Sequence, residues 1–546
     1  MRILRFPFHP FLLGIYPIFH LYARNIAFIP AAEVVRPLGI TVGLTFLFLF
    51  GFRAIIKSWH AAGLICSMLL IMFFSFGHIV NFLENWLVQQ GMPFNISVFA
   101  WIWLIIFLPL PLLILRYRSS EKPTQLLNLI GLMLVFWPLA SIVAANVDRI
   151  YSRPSELESL AQMREEARSE ASMRELPQTE KPDIYYIILD AYERADVLEE
   201  YYGYDNSSFM GSLQDRGFFI APSSRSNYLT TTYSLNTSLN LLYFHEFPAG
   251  LFKQSRYNLY TNYVSEFLRR QKYQVVVFDS GTGDSNFQYA DVFASSPSIQ
   301  ESASAVTPFE QLLLQTTYVL ALIRGGAASG GAAPDGVFTA SVNRELEIRR
   351  ERIRYSVEHL PEYALADGPR FIFSHIYLPH FPFLYGPGGE ALKYHGKTNL
   401  FWYEVEPAEY IKYYGYQIDY LNRAILATID RILAEAKRPL VIVLQSDHGD
   451  EHFLDWDSPS AQGVNARSAI LNAIFFSDGG YDLLYPSMTP VNSFRLILNH
   501  WFGTQYPLLP DKTYFHKHPV NTPYTEIPEF FEICARFAIC PTADSN

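Results

Sequence analysis

Four short clusters in this chain hold residue types that can do chemistry together. The first is Asp190, which ends the apolar run Ile187-Ile188-Leu189. An acid at the tip of a buried strand is a candidate metal ligand, and the same residue could cap a helix over Ala191–Tyr201. The second is Asn227-Tyr228-Leu229-Thr230-Thr231-Thr232-Tyr233-Ser234-Leu235, a hydroxyl cluster ahead of a helical run over Ser234–Leu242. A hydroxyl at a helix N-terminus feels the positive end of the dipole, which favours an alkoxide or a bound phosphate; simple capping is the alternative use. The third is Gln445-Ser446-Asp447-His448-Gly449-Asp450. Asp447 and His448 offer one oxygen and one nitrogen to a divalent metal, and Gly449 permits close backbone approach or positive φ. The fourth is His375-Ile376-Tyr377-Leu378-Pro379-His380-Phe381-Pro382, two histidines in a proline-rich loop, in a chain with 14 histidines. His452, in Asp450-Glu451-His452, is a further candidate ligand or proton donor.

These clusters need a scaffold, and the surrounding pattern supplies one. Apolar, β-branched runs at Ile184–Leu189, Gln274–Phe278, Phe371–Ile376, Leu440–Leu444 and Ile470–Phe476 read as strands buried on both faces. Tyr260–Arg270, Arg344–His359 and Tyr410–Ala436 between them read as helices. Alternation of this kind predicts an α/β domain with a mostly parallel sheet sandwiched by helices. In such sheets chemistry gathers beyond the carboxyl ends of the strands, and Asp190, His375 and the Asp447-His448 pair each follow a predicted strand.

The first 147 residues are different. Half of the whole chain is hydrophobic and only 17% is charged, against about 25% in an ordinary globular protein, and the dilution lies here. Five apolar segments, at roughly 11–30, 38–56, 61–83, 97–115 and 124–147, approach the length of about 20 residues that a spanning helix needs. Arg2, Arg5, Arg53, Lys57, Arg116, Arg118 and Lys122 fall on one set of sides, and only Arg24 and Arg36 on the other. The positive-inside rule then places the N-terminus in the cytoplasm and everything after residue 147 outside. The predicted organisation is a transmembrane unit over 1–147, a charged juxtamembrane linker over 148–182 and a catalytic domain over 183–546. A net charge of -10 with no clustered basic face argues against a nucleic-acid partner. Gly325–Gly336 is a small-residue loop without a phosphate-loop ending. None of the three cysteines forms a C-x-x-C pair. Cys534 and Cys540 have five residues between them, enough for the chain to turn back and close a disulfide outside the cytoplasm if no helix runs straight through.

Taken together the four clusters resemble the sulfatase-like branch of the alkaline phosphatase superfamily, over about 183–505. The chain is similar in particular to polytopic bacterial members such as lipoteichoic acid synthases and lipid A phosphoethanolamine transferases. That resemblance implies a metal shell of Asp190, Thr231, Asp447 and His448, with Thr231 as the nucleophile. Thr231 is chosen over Thr230 and Thr232 because the family pattern Asn-Tyr-x-x-Thr-x-x-Ser-Leu falls on Asn227, Tyr228, Thr231, Ser234 and Leu235. The His-x-x-x-x-His-x-Pro pattern implies that His375 and His380 hold the phosphate or the leaving group. One divalent ion is implied, zinc or manganese first and calcium as a further option. The implied partners are the lipid bilayer and a lipid-linked or glycan substrate, at a bacterial-type inner membrane with an extracytoplasmic catalytic domain. The expected function is a metal-dependent phosphotransferase or phosphoric-ester hydrolase acting through a covalent Thr intermediate. A sulfuric-ester hydrolase and a non-catalytic envelope-assembly protein are the alternatives. The C/S-x-P-x-R motif of true sulfatases is absent from Thr230–Leu235.

Overall fold

A computed structural model describes residues 6–26, 31–90, 94–116, 121–151, 174, 176–247, 259, 262–282, 285–287, 290–303, 307–321, 335–393, 406–516, 530–537 and 539. Most of the charged linker, residues 325–334 of the glycine-rich loop and Cys540 lie outside these residues. The chain forms two compact units, one of Met1–Tyr151 with Gln300–Arg344 and the other of Ser152–Ile299 with Glu345–Asn546.

The first unit is helical: α1 His9–Asn25, α2 Ala32–Ile56, α3 Trp59–Gln89, α4 Ile96–Phe107, α5 Leu110–Arg116 and α6 Lys122–Tyr151. Four helical stretches among the described residues are long and apolar enough to cross a membrane: Ala32–Ile56, Trp59–Glu84, Ile96–Arg116 and Lys122–Ala144. The first predicted segment is the exception. It forms a helix of 17 residues with Pro17 inside it, and it packs against α2, α3 and α6. Large apolar side chains such as Leu47, Ile55, Trp101 and Phe136 face outward, as lipid contact requires and water would not tolerate. Polar groups turn inward. His9 is buried with Nδ1 on the Ser67 hydroxyl at 2.6 Å, and its backbone N–H donates to Asn128 Oδ1 at 2.8 Å.

The segment Gln300–Arg344 follows the strand region in sequence yet belongs to this helical unit. Its helix Pro308–Thr316 starts with a capping box between Thr307 and Glu310. Phe309 and Leu313 pack with Ile18, Tyr22, Val34 and Phe74. Arg36 Nε donates to Glu310 Oε1 at 2.6 Å, and the Tyr318 backbone N–H donates to Phe73 O at 2.8 Å.

The second unit is built on a seven-stranded sheet. Its strands are β1 Asp183–Leu189, β2 Phe219–Ile220, β3 Gln274–Phe278, β4 Val292–Ala294, β5 Arg370–Ile376, β6 Leu440–Gln445 and β7 Asn472–Phe476, in the order β2-β7-β6-β1-β5-β3-β4. The five predicted strands are all present. β6, β1, β5, β3 and β4 run parallel, and β7 is antiparallel to β6. Every residue of β1 is buried, which explains the unbroken apolar run: both faces of the sheet are covered. Tyr186, Phe373, Val441 and Phe494 lie in the principal core. β8 Tyr514–His516 and β9 Phe530–Glu532 form a separate small ribbon. Short edge elements such as β2 and β4 were not visible in the apolar pattern because two or three residues carry no period.

Candidate metal centre

The centre arises from strand adjacency. β1 lies between β5 and β6, with Ile188 in register with both His375 and Gln445. Residues just past the carboxyl ends of these three strands are therefore neighbours, however far apart they lie in sequence. Asp190 leaves β1 through Ala191, which adopts a left-handed φ of 62°. That costs about 1–2 kcal/mol for a residue with a Cβ, and the turn is held by the Tyr414 hydroxyl donating to Ala191 O at 2.6 Å. Gly449 follows β6 without a positive φ. Its reason is the other one: a Cβ there would overlap the Ala466 carbonyl oxygen.

Thr231 is the first residue of the helix Thr231–Asn240, which begins three residues earlier than the pattern suggested. Thr230 is its N-cap, with extended backbone. Asn227 fixes the entering loop: its side chain donates to Thr489 Oγ1 and Lys512 O, and accepts from Val491 N. The Thr231 hydroxyl lies 3.1 Å from His448 Nε2.

Asp190, Asp447 and His448 form a group whose ligand atoms lie within 4.8 Å of one another, all buried. Asp190 Oδ1 and Oδ2 and Asp447 Oδ2 are buried without a hydrogen-bond partner. Burial and the neighbouring Arg467 press the His448 imidazole down to about 3, so it is neutral. Burial alone would raise the Asp190 carboxyl, but the groups around it, His380 first, outweigh that and hold it below its ordinary value. Ionised carboxylate oxygens with no donor, beside a neutral imidazole, fit a divalent cation, because unpaired buried charge is otherwise expensive.

The two histidines of the proline loop come to the same place. His375 Nε2 lies 3.2 Å from Asp190 Oδ2, and the His380 ring lies 6.4 Å from that of His448. His380 Nδ1 is 2.7 Å from Phe381 O, which makes it the protonated nitrogen. His452 is placed apart from the cluster, its ring stacked on Tyr410 at 4.2 Å. Two residues of the centre escaped the sequence reading. Arg467 is buried and donates to Leu229 O and Gly449 O, with a further nitrogen 3.4 Å from His448 Nε2. Ser285 meets His375 Nδ1 at 2.7 Å. Each stands alone in its segment, with no spacing to mark it.

The sulfatase family model matches residues 182–523, well over half of the chain. The chain belongs to the sulfatase family. It is an enzyme of that family, the matched domain following a unit of apolar helices in the chain. Among solved structures, the C-terminal periplasmic domain of EcEptC from Escherichia coli is 12% identical, with 69% of this chain and 98% of that one covered and a TM-score of 0.40. Lipooligosaccharide phosphoethanolamine transferase A from Neisseria meningitidis, an integral membrane protein, is 12% identical over 91% of this chain and 96% of its own, at 0.37. Phosphonate monoester hydrolase of Agrobacterium radiobacter is 13% identical, with 67% and 92% covered, at 0.36. No curated protein sequence matches the chain.

Proposed function

We propose that this sulfatase-family chain is a membrane-anchored phosphotransferase or phosphoric-ester hydrolase that acts on lipid-linked or glycan envelope substrates through a covalent Thr231 intermediate. The observation that carries the reading is the position of Thr231. Its hydroxyl sits at the first turn of a helix and faces a neutral imidazole, in a cluster where both Asp190 oxygens and Asp447 Oδ2 lack a hydrogen-bond partner. The helix dipole favours negative charge on that oxygen, which is what a nucleophilic hydroxyl needs.

Asp190, Asp447, His448 and Thr231 would hold one divalent cation, zinc or manganese by the mixed oxygen and nitrogen donors. When bound it supplies Lewis-acid stabilisation of developing charge. The chain's own residues do the rest. Thr231 gives up its hydroxyl proton to solvent, attacks phosphorus and takes the phosphoryl-bearing group as the bond to the leaving oxygen breaks. His380, with its Nδ1–H committed to Phe381 O, is the candidate acid for that oxygen in its doubly protonated form, which alone carries a hydrogen on Nε2. Arg467 adds a fixed positive charge next to His448. An alcohol or water then releases the group from Thr231, and the identity of that acceptor separates transferase from hydrolase.

The same reading carries a topology. Arg53 and Lys57 lie at one end of α2 and Arg116 at the end of α5, so the positive-inside rule puts those ends in the cytoplasm. The apolar helix α6 follows Arg116 in the chain and would cross outward, which puts the catalytic domain after it outside the cytoplasm.

Mass spectrometry of the purified protein after incubation with envelope lipids tests the chemistry. A mass adduct on Thr231 is expected, and its mass separates a phosphoryl-bearing group from a sulfuryl group. An adduct elsewhere, or unchanged turnover in Thr231→Ala, overturns the proposal.

A further inference from the structure

We propose that Ser285 is a positioning residue that fixes the tautomer of His375, placing its proton on Nδ1 and leaving the Nε2 lone pair toward Asp190. The inference rests on the reading that His375 belongs to the reacting site, and it is carried by a chain of hydrogen bonds that runs from Asp279 to the imidazole.

The chain is anchored at Asp279, the residue after β3. Its Oδ1 accepts from Asn286 Nδ2 at 3.0 Å, and its Oδ2 accepts from Arg352 Nε at 3.2 Å and from the Ser295 hydroxyl at 3.0 Å. A carboxylate only accepts, so the Asn286 amide must turn its nitrogen to Asp279. Asn286 Oδ1 then faces Ser280, and it receives both the backbone N–H of Ser280 at 2.9 Å and its hydroxyl at 2.8 Å. With its proton given to Asn286, Ser280 Oγ accepts from the Ser285 hydroxyl at 2.8 Å. Ser285 Oγ has then spent its own proton and must accept at its 2.7 Å contact with His375 Nδ1. The imidazole therefore carries its hydrogen on Nδ1. Thr282 also touches both serines, at 3.3 and 3.1 Å, longer than the contacts that define the chain.

Two consequences follow for the site. His375 Nε2 and Asp190 Oδ2, 3.2 Å apart and both buried, are both acceptors, so the space between them suits a cation or a substrate proton. His375 is then an acceptor at Nε2. Ser285 acts on the site through the imidazole that it touches. Residues that orient a site histidine in this way typically change activity about 10–100-fold when removed.

The test is magic-angle-spinning NMR of the full-length protein, ¹⁵N-labelled at histidine, in lipid bilayers with EDTA. The His375 signals are those missing from His375→Gln. The wild type should show a protonated Nδ1 and an unprotonated Nε2. Ser285→Ala should move the proton toward Nε2 and lower kcat on bis(p-nitrophenyl) phosphate by about 10–100-fold with KM little changed. Ser285→Thr, which keeps the hydroxyl, should restore both. A wild-type His375 protonated on Nε2 overturns the inference without any variant having to fold. So does an unaltered tautomer in Ser285→Ala, or a Ser285→Thr protein that behaves as the alanine variant does. The NMR arm needs no turnover, so failure to find an adduct on Thr231 would count against the proposed function alone.

Discussion

Asp447 and His448 are proposed ligands just past the end of β6, a strand held on both sides by β1 and β7. On that proposal, removing either side chain leaves Asp190 with too few partners to hold an ion. Asp447→Ala and His448→Ala should each strip the metal and abolish turnover while the protein still folds. Elemental analysis of the purified variants checks this, and normal metal content in both would remove the assignment. Arg467 belongs to the same scale: two of its N–H groups are spent on the carbonyls of Leu229 and Gly449, so it ties the segment before Thr231 to the one after His448. Asp190 and His448 could be picked out from residue type and placement, and the family pattern picked Thr231 from its neighbours. Arg467 and Ser285 could not, because a single arginine or serine in an unremarkable segment has no pattern of its own.

At the level of elements, β1 begins with a charge in the core. Asp183 is fully buried, with Oδ1 accepting from Arg370 N at 2.8 Å and Oδ2 without a partner. Burial pushes its carboxyl up to about 7, only partly offset by that backbone bond and by Arg438 and Arg370. The folded state thus keeps a proton that the unfolded chain releases near the ordinary aspartate value of about 3.9. The stability this provides is fully present below about pH 4 and is lost as pH rises through about 7. Asp183→Asn should remove that dependence. Its melting temperature relative to wild type should be more favourable at pH 8 than at pH 5, and an equal difference at the two pH values would refute the cause given. The C-terminal helix is a second case. Ile533–Phe537 spans five residues and ends before Ile539, and Cys534 is disulfide-bonded while Cys66 is free and buried. The expected helix break is therefore in place, although Cys540 falls outside the described residues. Denatured, unreduced protein should label one thiol, and reduced protein three. Three labelled thiols without reductant would exclude the bond.

For the molecule as a whole, the segment 300–344 is the informative surprise. Contiguity in sequence assigned it to the catalytic domain, but its contacts group it with the membrane helices. Phe309, Leu313 and Leu320 give it an apolar side that the helices cover, and Glu310 answers Arg36. A reporter fluorescent only in the cytoplasm, fused after Asn546, should be dark, and one that is active only outside should be active. A bright cytoplasmic fusion would reverse the topology and with it the placement of every basic loop.

The sequence by itself determined the parts that depend on local pattern. Period and length exposed the apolar helices and the five buried strands, because a strand covered on both faces cannot hide its β-branched run. The ends of those strands exposed Asp190, His375 and the Asp447-His448 pair, and the family pattern selected Thr231. Tertiary structure decided the rest. It placed β1 between β5 and β6, which is what makes three separate strand ends a single centre. It turned Gly449 from a conformational possibility into a requirement for space beside Ala466, and moved His452 onto Tyr410 and away from the ligands. It also recruited Arg467 and the Ser285 chain. Strand order, close approach and hydrogen-bond direction are properties of groups brought together from distant positions, and no local window of sequence contains them.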